Sequence, residues 1–297
     1  MGTASSKVTP TSSLTYPPVP TQELEEPWRQ VDWSGKAEIL KELGELRPSS
    51  NVLRILLYGP VGAGKSCFIN SVQRALIGRN AMIALENIDA AQTSFTKTIT
   101  THKLKKRGGG RYPFVFSDIM GLEIDEGILI EDIIKVLEGH VLDGYKFDSQ
   151  APITWNSPKY NKNPNISDKV HCLVSILPAD AISRIDHKLI HKMKKVQQKA
   201  GQLGIPQIIV LTKVDKACEM VHKDLRKLHY SKKIKEKVEQ GRNELDIALS
   251  HIYPVKNYHA EITQNADIDI LILMTLRDIV NFASDHVEDV YESSGSG

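Results

Sequence analysis

Residues 53 to 66 leave this chain little freedom of architecture. The apolar run Leu53 to Tyr58 passes directly into Gly59-Pro60-Val61-Gly62-Ala63-Gly64-Lys65-Ser66, and a helical pattern follows from Lys65 to Ile77. A GxxxxGK[ST] loop of this kind does its chemistry only between a buried strand and the start of a helix. Its glycines let successive N–H groups turn inward, and the helix start adds a positive dipole end, so the loop is built to cradle phosphates. Gly59, Val61, Gly62, Ala63, Gly64 and Cys67 are the candidate backbone contacts. Lys65 is placed to reach β- and γ-phosphates, and Ser66 offers a hydroxyl to Mg²⁺, which keeps most of its ligands as water and phosphate oxygen.

Four further apolar runs, 112–117, 170–177, 207–211 and 252–255, are bounded by turn residues and separated by longer helical patterns. Near-continuous apolar runs of this length suit strands buried on both faces of a parallel sheet. The stretch 98–106 alternates more and joins Tyr112 through Arg107-Gly108-Gly109-Gly110-Arg111, which predicts an antiparallel edge strand in a hairpin. The expected fold is α/β: a doubly wound, mostly parallel sheet with one antiparallel edge strand, as a three-layer sandwich. Helices are predicted over 65–77, 186–201, 219–250 and 267–290. Another is predicted after Ser34 as cap, burying Ala37, Leu40, Leu43 and Leu46, with Pro48 ending it.

Residues 1–26, rich in Ser, Thr and Pro, read as a disordered arm. Residues 27–290 read as the folded domain, with 27–48 a leading helical segment and 139–168 an insertion; 291–297 read as a flexible tail. The start Met1-Gly2-Thr3-Ala4-Ser5-Ser6 fits the N-myristoylation pattern, so membrane contact is expected only through an acyl chain on Gly2.

Two downstream sites bear on which nucleotide fits the loop. Asp118-Ile119-Met120-Gly121 follows the strand 112–117 as a DxxG motif. Asp118 is a candidate Mg²⁺ holder through water, and the Gly121 N–H a candidate sensor of the γ-phosphate. Thr212-Lys213-Val214-Asp215 follows the strand 207–211. A carboxylate only accepts hydrogen bonds, so Asp215 complements the paired N–H donors of guanine, which adenine lacks. Lys213 can lie along the base, and the Thr212 hydroxyl can tie neighbouring loops. Lys256 and Asn257, after the last strand, are candidates to close over the base. Thr96 is the expected second side-chain Mg²⁺ ligand, with Ser94 and Thr93 as alternatives.

Composition narrows the remaining choices. With 41% hydrophobic and 25% charged residues the chain has the make-up of a globular protein. A net charge of +2 supplies no overall field for nucleic acid, so no sequence-specific nucleic-acid binding is expected. The three cysteines, Cys67, Cys172 and Cys218, have no zinc spacing and cannot all pair, which fits a reducing compartment and predicts a cytoplasmic location.

The order of motifs resembles translation-factor-type GTPases. Details carry a narrower resemblance: Pro27-Trp28-Arg29 with Asp32-Trp33, Leu53-Arg54-Ile55-Leu56 into the loop and Cys67-Phe68-Ile69-Asn70-Ser71, Ser94-Phe95-Thr96-Lys97, Gly139-His140-Val141 with Gly144-Tyr145-Lys146-Phe147, Val170-His171-Cys172 and Pro254-Val255-Lys256-Asn257-Tyr258. Over about residues 27 to 290 the chain resembles the interferon-induced protein 44 family. That resemblance implies a cytoplasmic, interferon-inducible vertebrate protein that binds guanine nucleotide and serves antiviral or innate immune responses. It also implies, in many relatives, an additional amino-terminal domain where this chain has the arm.

The residue after the DxxG glycine, a water-orienting Gln in small signalling GTPases, is Leu122 here. Intrinsic hydrolysis is therefore expected to be slow unless another group substitutes, such as the neighbouring Glu123 as catalytic candidate, a switch hydroxyl or a partner's Arg. The leading expectation is a GTP/GDP-binding switch with unknown protein partners. An efficient GTPase, activated by homodimerisation, and a nucleotide-independent immune scaffold are the alternatives. Residues 97–111 hold six Lys or Arg and no acid, read as edge-strand protection with RNA or anionic lipid as the other possibility.

Overall fold

A computed structural model describes residues 23–85, 98–119, 121–124 and 127–295. Thr93, Ser94 and Thr96, most of the 1–26 arm and the end of the tail lie outside the described residues. Six strands form one sheet: β1 (Leu53–Tyr58), β2 (Thr100–Lys105), β3 (Arg111–Asp118), β4 (Cys172–Pro178), β5 (Gln207–Thr212) and β6 (Ile252–Pro254). Their order is β2-β3-β1-β4-β5-β6. Every pairing is parallel except that of β2 with β3. All seven residues of β4 are buried, as an inner strand covered on both faces requires.

Right-handed crossovers dictate where the helices go. The helix α2 (Lys65–Ile77) leads from β1 to the β2–β3 hairpin, in one direction along the sheet. The helices α3 (Ile130–Leu137), α4 (His187–Gln202) and, after the short helices α5 (Val214–Ala217) and α6 (Glu219–Lys223), α7 (Lys232–Leu245) make their crossovers in the other direction, and so cover the other face. The chain ends in α8 (Ala266–Gly295), which packs on α2, on β1 and β4, and on the leading helix α1 (Lys36–Glu45). The sequence order reverses between β1 and β4, and a crevice at the carboxyl ends of the strands opens at such a point.

Three local expectations are corrected. Ser34 does not cap α1: its hydroxyl and N–H both go to Asp32 Oδ1, at 2.6 and 2.9 Å, and Gly35 takes the cap position. The helix consequently buries Ile39 and Leu43 and leaves Ala37 exposed. The pattern read as one helix over 219–250 is broken. A short helix Glu219–Lys223 ends at Asp224, which is extended (φ −144°) and whose carboxylate accepts from the Arg226 N–H, and a 3₁₀ turn follows over Leu225–Tyr230. Ser231 then starts α7 by accepting from the Ile234 N–H at 3.2 Å. Asp and Ser side chains that bond the nearby backbone interrupt a helix more effectively than its apolar spacing propagates it. Residues 139–168 run without strand or α-helix, yet they bury Phe147 and Ile153, and the Ile153 N–H donates to Asp132 on α3 at 2.7 Å.

The leading segment is fastened to the far end of the sheet. Arg29 donates to the carbonyls of Ile252 and Leu249 at 2.7 and 2.6 Å, and the Trp28 N–H donates to the His229 carbonyl at 3.0 Å. The His229 ring packs edge-on to Trp28, 4.7 Å between centroids, and is only 4% exposed. Burial, with the nearby Arg29 charge, lowers its pKa to about 4. Because the folded value lies below the unfolded one, the unfolded chain binds the proton first as pH falls, and stability is lost between about pH 6.5 and 4. His229→Phe keeps the packing and removes that loss. Urea denaturation should show the difference in stability between pH 7 and pH 5 smaller by about 2 kcal/mol in the variant than in the parent chain; equal differences would refute the assignment.

Candidate nucleotide-binding site

The P-loop is held in shape by its neighbours. Gly59 leaves β1 at φ +146°, and a Cβ there would lie 2.2 Å from the Ile176 carbonyl oxygen of β4. Only glycine permits both the angle and the approach. The Thr212 hydroxyl, at the end of β5, lies 2.6 Å from the Ala63 carbonyl and 3.3 Å from that of Leu177, so one side chain ties the P-loop to β4 and β5. That is the tying role expected of it. Asn257, in the loop after β6, donates from Nδ2 to the Gly64 carbonyl at 3.2 Å, while its Oδ1 is buried and unpartnered. The structure thus brings Gly59 to Cys67, Thr212 and Asn257 together.

Lys65 is 8% exposed, and its Nζ lies 3.2 Å from each of the Gly59 and Pro60 carbonyls. An ammonium has three protons, so one remains for a further acceptor. Asp118, 2% exposed at the end of β3, accepts the Ser66 hydroxyl on Oδ2 at 3.1 Å, and its Oδ1 is buried without a partner. Burial raises the Asp118 carboxyl pKa against the opposing pull of Lys65, His102 and Ser66, and burial lowers that of Lys65 against the pull of Asp118. An orphaned carboxylate oxygen beside a hydroxyl, both facing a phosphate loop, suits a hard divalent cation: Ser66 would bind it directly and Asp118 through water.

The DxxG segment lies on the P-loop. The Leu122 N–H donates to the Gly59 carbonyl at 3.0 Å, making a parallel bridge between Pro60 and Leu122. A Cβ on Gly121 would fall 2.5 Å from Val61 Cγ2 and 2.8 Å from Val61 Cα, so the glycine is needed for this contact. Leu122 itself is 2% exposed. Lys192 of α4 donates to the carbonyls of Glu123 and Ile124 at 2.8 and 2.6 Å, holding the segment from its outer side. Sequence reasoning missed Lys192, which sits in a Lys-rich helical pattern with no local sign that it reaches back across the fold.

At the base end, Lys213 adopts φ +59° between β5 and the short helix Val214–Ala217, the left-handed turn that swings the chain away from the sheet. Asp215 lies half-exposed in the first turn of that helix, and its carboxylate makes no ion pair among the described residues. Lys256 is engaged elsewhere: its Nζ lies 2.6 Å from Glu261 Oε1. Burial alone would raise the Glu261 carboxyl, but Lys256 and the His259 N–H overcome it and hold the pKa down to about 2. Thr96 lies outside the described residues, and Glu123 is half-buried beside Leu122.

The strand order, the strand–loop–helix at β1 and α2, and the DxxG and TKVD segments at the carboxyl ends of β3 and β5 define a P-loop protein of the GTPase type. The chain is homologous over most of its length to the interferon-induced protein 44 family. It is 31% identical over 258 residues to interferon-induced protein 44 of Mus musculus, covering 86% of this chain and 61% of that protein. It is 32% identical over 258 residues to interferon-induced protein 44-like of Homo sapiens, covering 85% and 57% respectively. The chain therefore spans a little over half the length of these relatives. No family model matches it. Among solved structures, Toc33 from Arabidopsis thaliana in complex with Mg²⁺ and GMPPNP superposes with a TM-score of 0.46 at 15% identity, covering 86% of this chain and 97% of that one. A probable GTP-binding protein, engB, gives 0.43 at 15% identity, covering 78% and 99%.

If Gly121 seats the DxxG segment on Val61, Gly121→Ala should lift it. Amide hydrogen exchange at Leu122 is expected to quicken by about tenfold or more while the β1 amides keep their protection. Unchanged exchange at Leu122 would show that the contact does not hold the segment.

Proposed function

We propose that this chain is a guanine-nucleotide-binding switch with weak hydrolysis of its own, acting in the interferon-induced response. The observation that carries the reading is the convergence of a phosphate loop, the hydrogen-bonded Ser66–Asp118 pair and the Asp215 carboxylate along one end of a mostly parallel sheet. The P-loop N–H groups and the remaining Lys65 proton would take the α-, β- and γ-phosphates. Asp215 would accept from the guanine edge, with the stem of Lys213 along the base. Mg²⁺, held by Ser66 and through water by Asp118, would neutralise phosphate charge; the threonine expected to complete it is Thr96.

Leu122 supports slow turnover. It has no group to orient water, and its burial and its bond to Gly59 give it a structural task instead. Two loops ordered by a γ-phosphate are a familiar way to present a surface to a protein partner. The relatives are named for their induction by interferon, which supports an antiviral role. Cysteines without disulfides support a cytoplasmic setting.

Titration calorimetry with GDP, GTP and ATP in Mg²⁺ tests the reading. Binding is expected to be selective for guanine, to weaken by at least about a hundredfold in Lys65→Ala, and to lose its selectivity in Asp215→Ala. Equal affinity for ATP, or undiminished binding in Lys65→Ala, would overturn it. Rapid single-turnover cleavage of GTP by the protein alone would overturn the weak-hydrolysis part.

A further inference from the structure

About 20 Å from the P-loop, at the other end of the 13-residue helix α2, lies a second concave and strongly cationic feature. A cavity of about 620 Å³ opens between the end of α2 and the β2–β3 turn, lined by Arg79, Lys105, Lys106, Arg107 and Arg111 and by no acidic residue. None of the five makes a salt bridge among the described residues. We propose that this cavity binds a compact, multiply phosphorylated anion.

Three observations carry the proposal beyond a solvated basic hairpin. First, edge-strand protection needs lysines on β2 only. Here Arg79 follows α2, Arg107 lies in the turn and Arg111 opens β3, an inner strand, so three elements converge. Second, Lys105 and Arg111 stand directly opposite each other across the β2–β3 ladder. Like charges in that position repel, a cost that a bridging anion turns into attraction. Third, the partial negative charge at the end of α2, about half a unit, would call for one neighbouring cation and not for five.

The geometry also selects the ligand class. Three of the five cations are arginines, whose planar fork matches phosphate oxygens two at a time. Lys106 is partly committed, donating to the Gly44 carbonyl at 3.2 Å and lying 5.2 Å from the Tyr112 ring centre, which anchors the floor of the cavity. Gly108 to Gly110 form a rim without side chains. Single-stranded nucleic acid is disfavoured, because such sites use exposed aromatic rings for base stacking and the nearby Tyr112 is 8% exposed. A clustered polyphosphate fits the concentrated charge, either as a free solute or as a phosphoinositide headgroup at a bilayer.

The test uses the full chain and inositol hexakisphosphate as probe, by titration calorimetry at low salt. Arg107→Gln/Arg111→Gln alters two exposed side chains and should weaken binding by at least about tenfold. Lys233→Gln/Lys235→Gln removes the same charge from the exposed side of α7 and should bind as the parent does. Vesicle flotation with phosphatidylinositol 4,5-bisphosphate against phosphatidylserine separates the sources. Flotation lost in the arginine variant supports the headgroup; calorimetric binding without flotation supports the free solute. Absence of binding in both assays, or equal weakening in both double variants, would overturn the proposal, as would binding of single-stranded RNA in place of the polyphosphate.

Discussion

Everything at the nucleotide end of this fold depends on how closely the chain passes β4 as it leaves β1. At Gly59 the backbone runs against the Ile176 carbonyl, at a distance no side chain could share. That approach lets the loop bend back over the sheet and delivers Lys65 and Ser66 at the start of α2. Once there, the loop is secured by groups from far along the chain: Thr212 through its hydroxyl, Asn257 through its amide, and Leu122 through its N–H. Each bonds a P-loop carbonyl and so competes for none of the loop's N–H groups, of which that of Ala63 donates to the Pro60 carbonyl at 3.2 Å.

The electrostatics follow from burial. Lys65 and Asp118 are each costly to keep charged in the interior; each eases the charge of the other, and Lys65 also bonds the Gly59 and Pro60 carbonyls. A buried pair of this kind adds little to stability against an apolar alternative, so its presence is better understood as chemistry held ready than as structural cement. Leu122 marks the opposite choice. Where a polar side chain could serve a reaction, an aliphatic one is buried, and the segment is fastened from both sides by Gly59 and Lys192.

Much of this was legible in the sequence because the signals were local. The strands were readable from apolar runs since inner strands of a parallel sheet carry no alternation, and the P-loop, DxxG and TKVD segments sit directly after β1, β3 and β5. The tying role of Thr212 could be named from its motif, whereas the close approach of Gly121 to Val61 could not. What could not be read depends on which partner a side chain takes, distant for Lys192 and near in sequence for the others. Lys192 meets the DxxG segment across about 70 residues of chain, Lys256 is taken by Glu261, and the helix expected over 219–250 yields to Asp224 and Ser231, whose side chains bind the backbone beside them. Ser34 failed as a cap for the same reason, its hydroxyl going to Asp32.

The helix α2 joins the P-loop to the cationic cavity, and its own contacts limit what it can transmit. It is buried along nearly its whole length. Gln73 exchanges two hydrogen bonds with the backbone of Lys105, fixing the helix to β2 beside the cationic cavity. Asn70 bonds Ile83 and Ala84, and Arg74 donates to the Glu261 carbonyl while stacking over Tyr258. An element so completely partnered has no second packing arrangement at hand, and coupling between sites needs one. Nucleotide-dependent change is therefore to be sought in the DxxG segment, which is held to the P-loop by the Leu122 N–H and the Gly121–Val61 contact and to α4 by Lys192. The cavity at the far end of α2 should act independently of it.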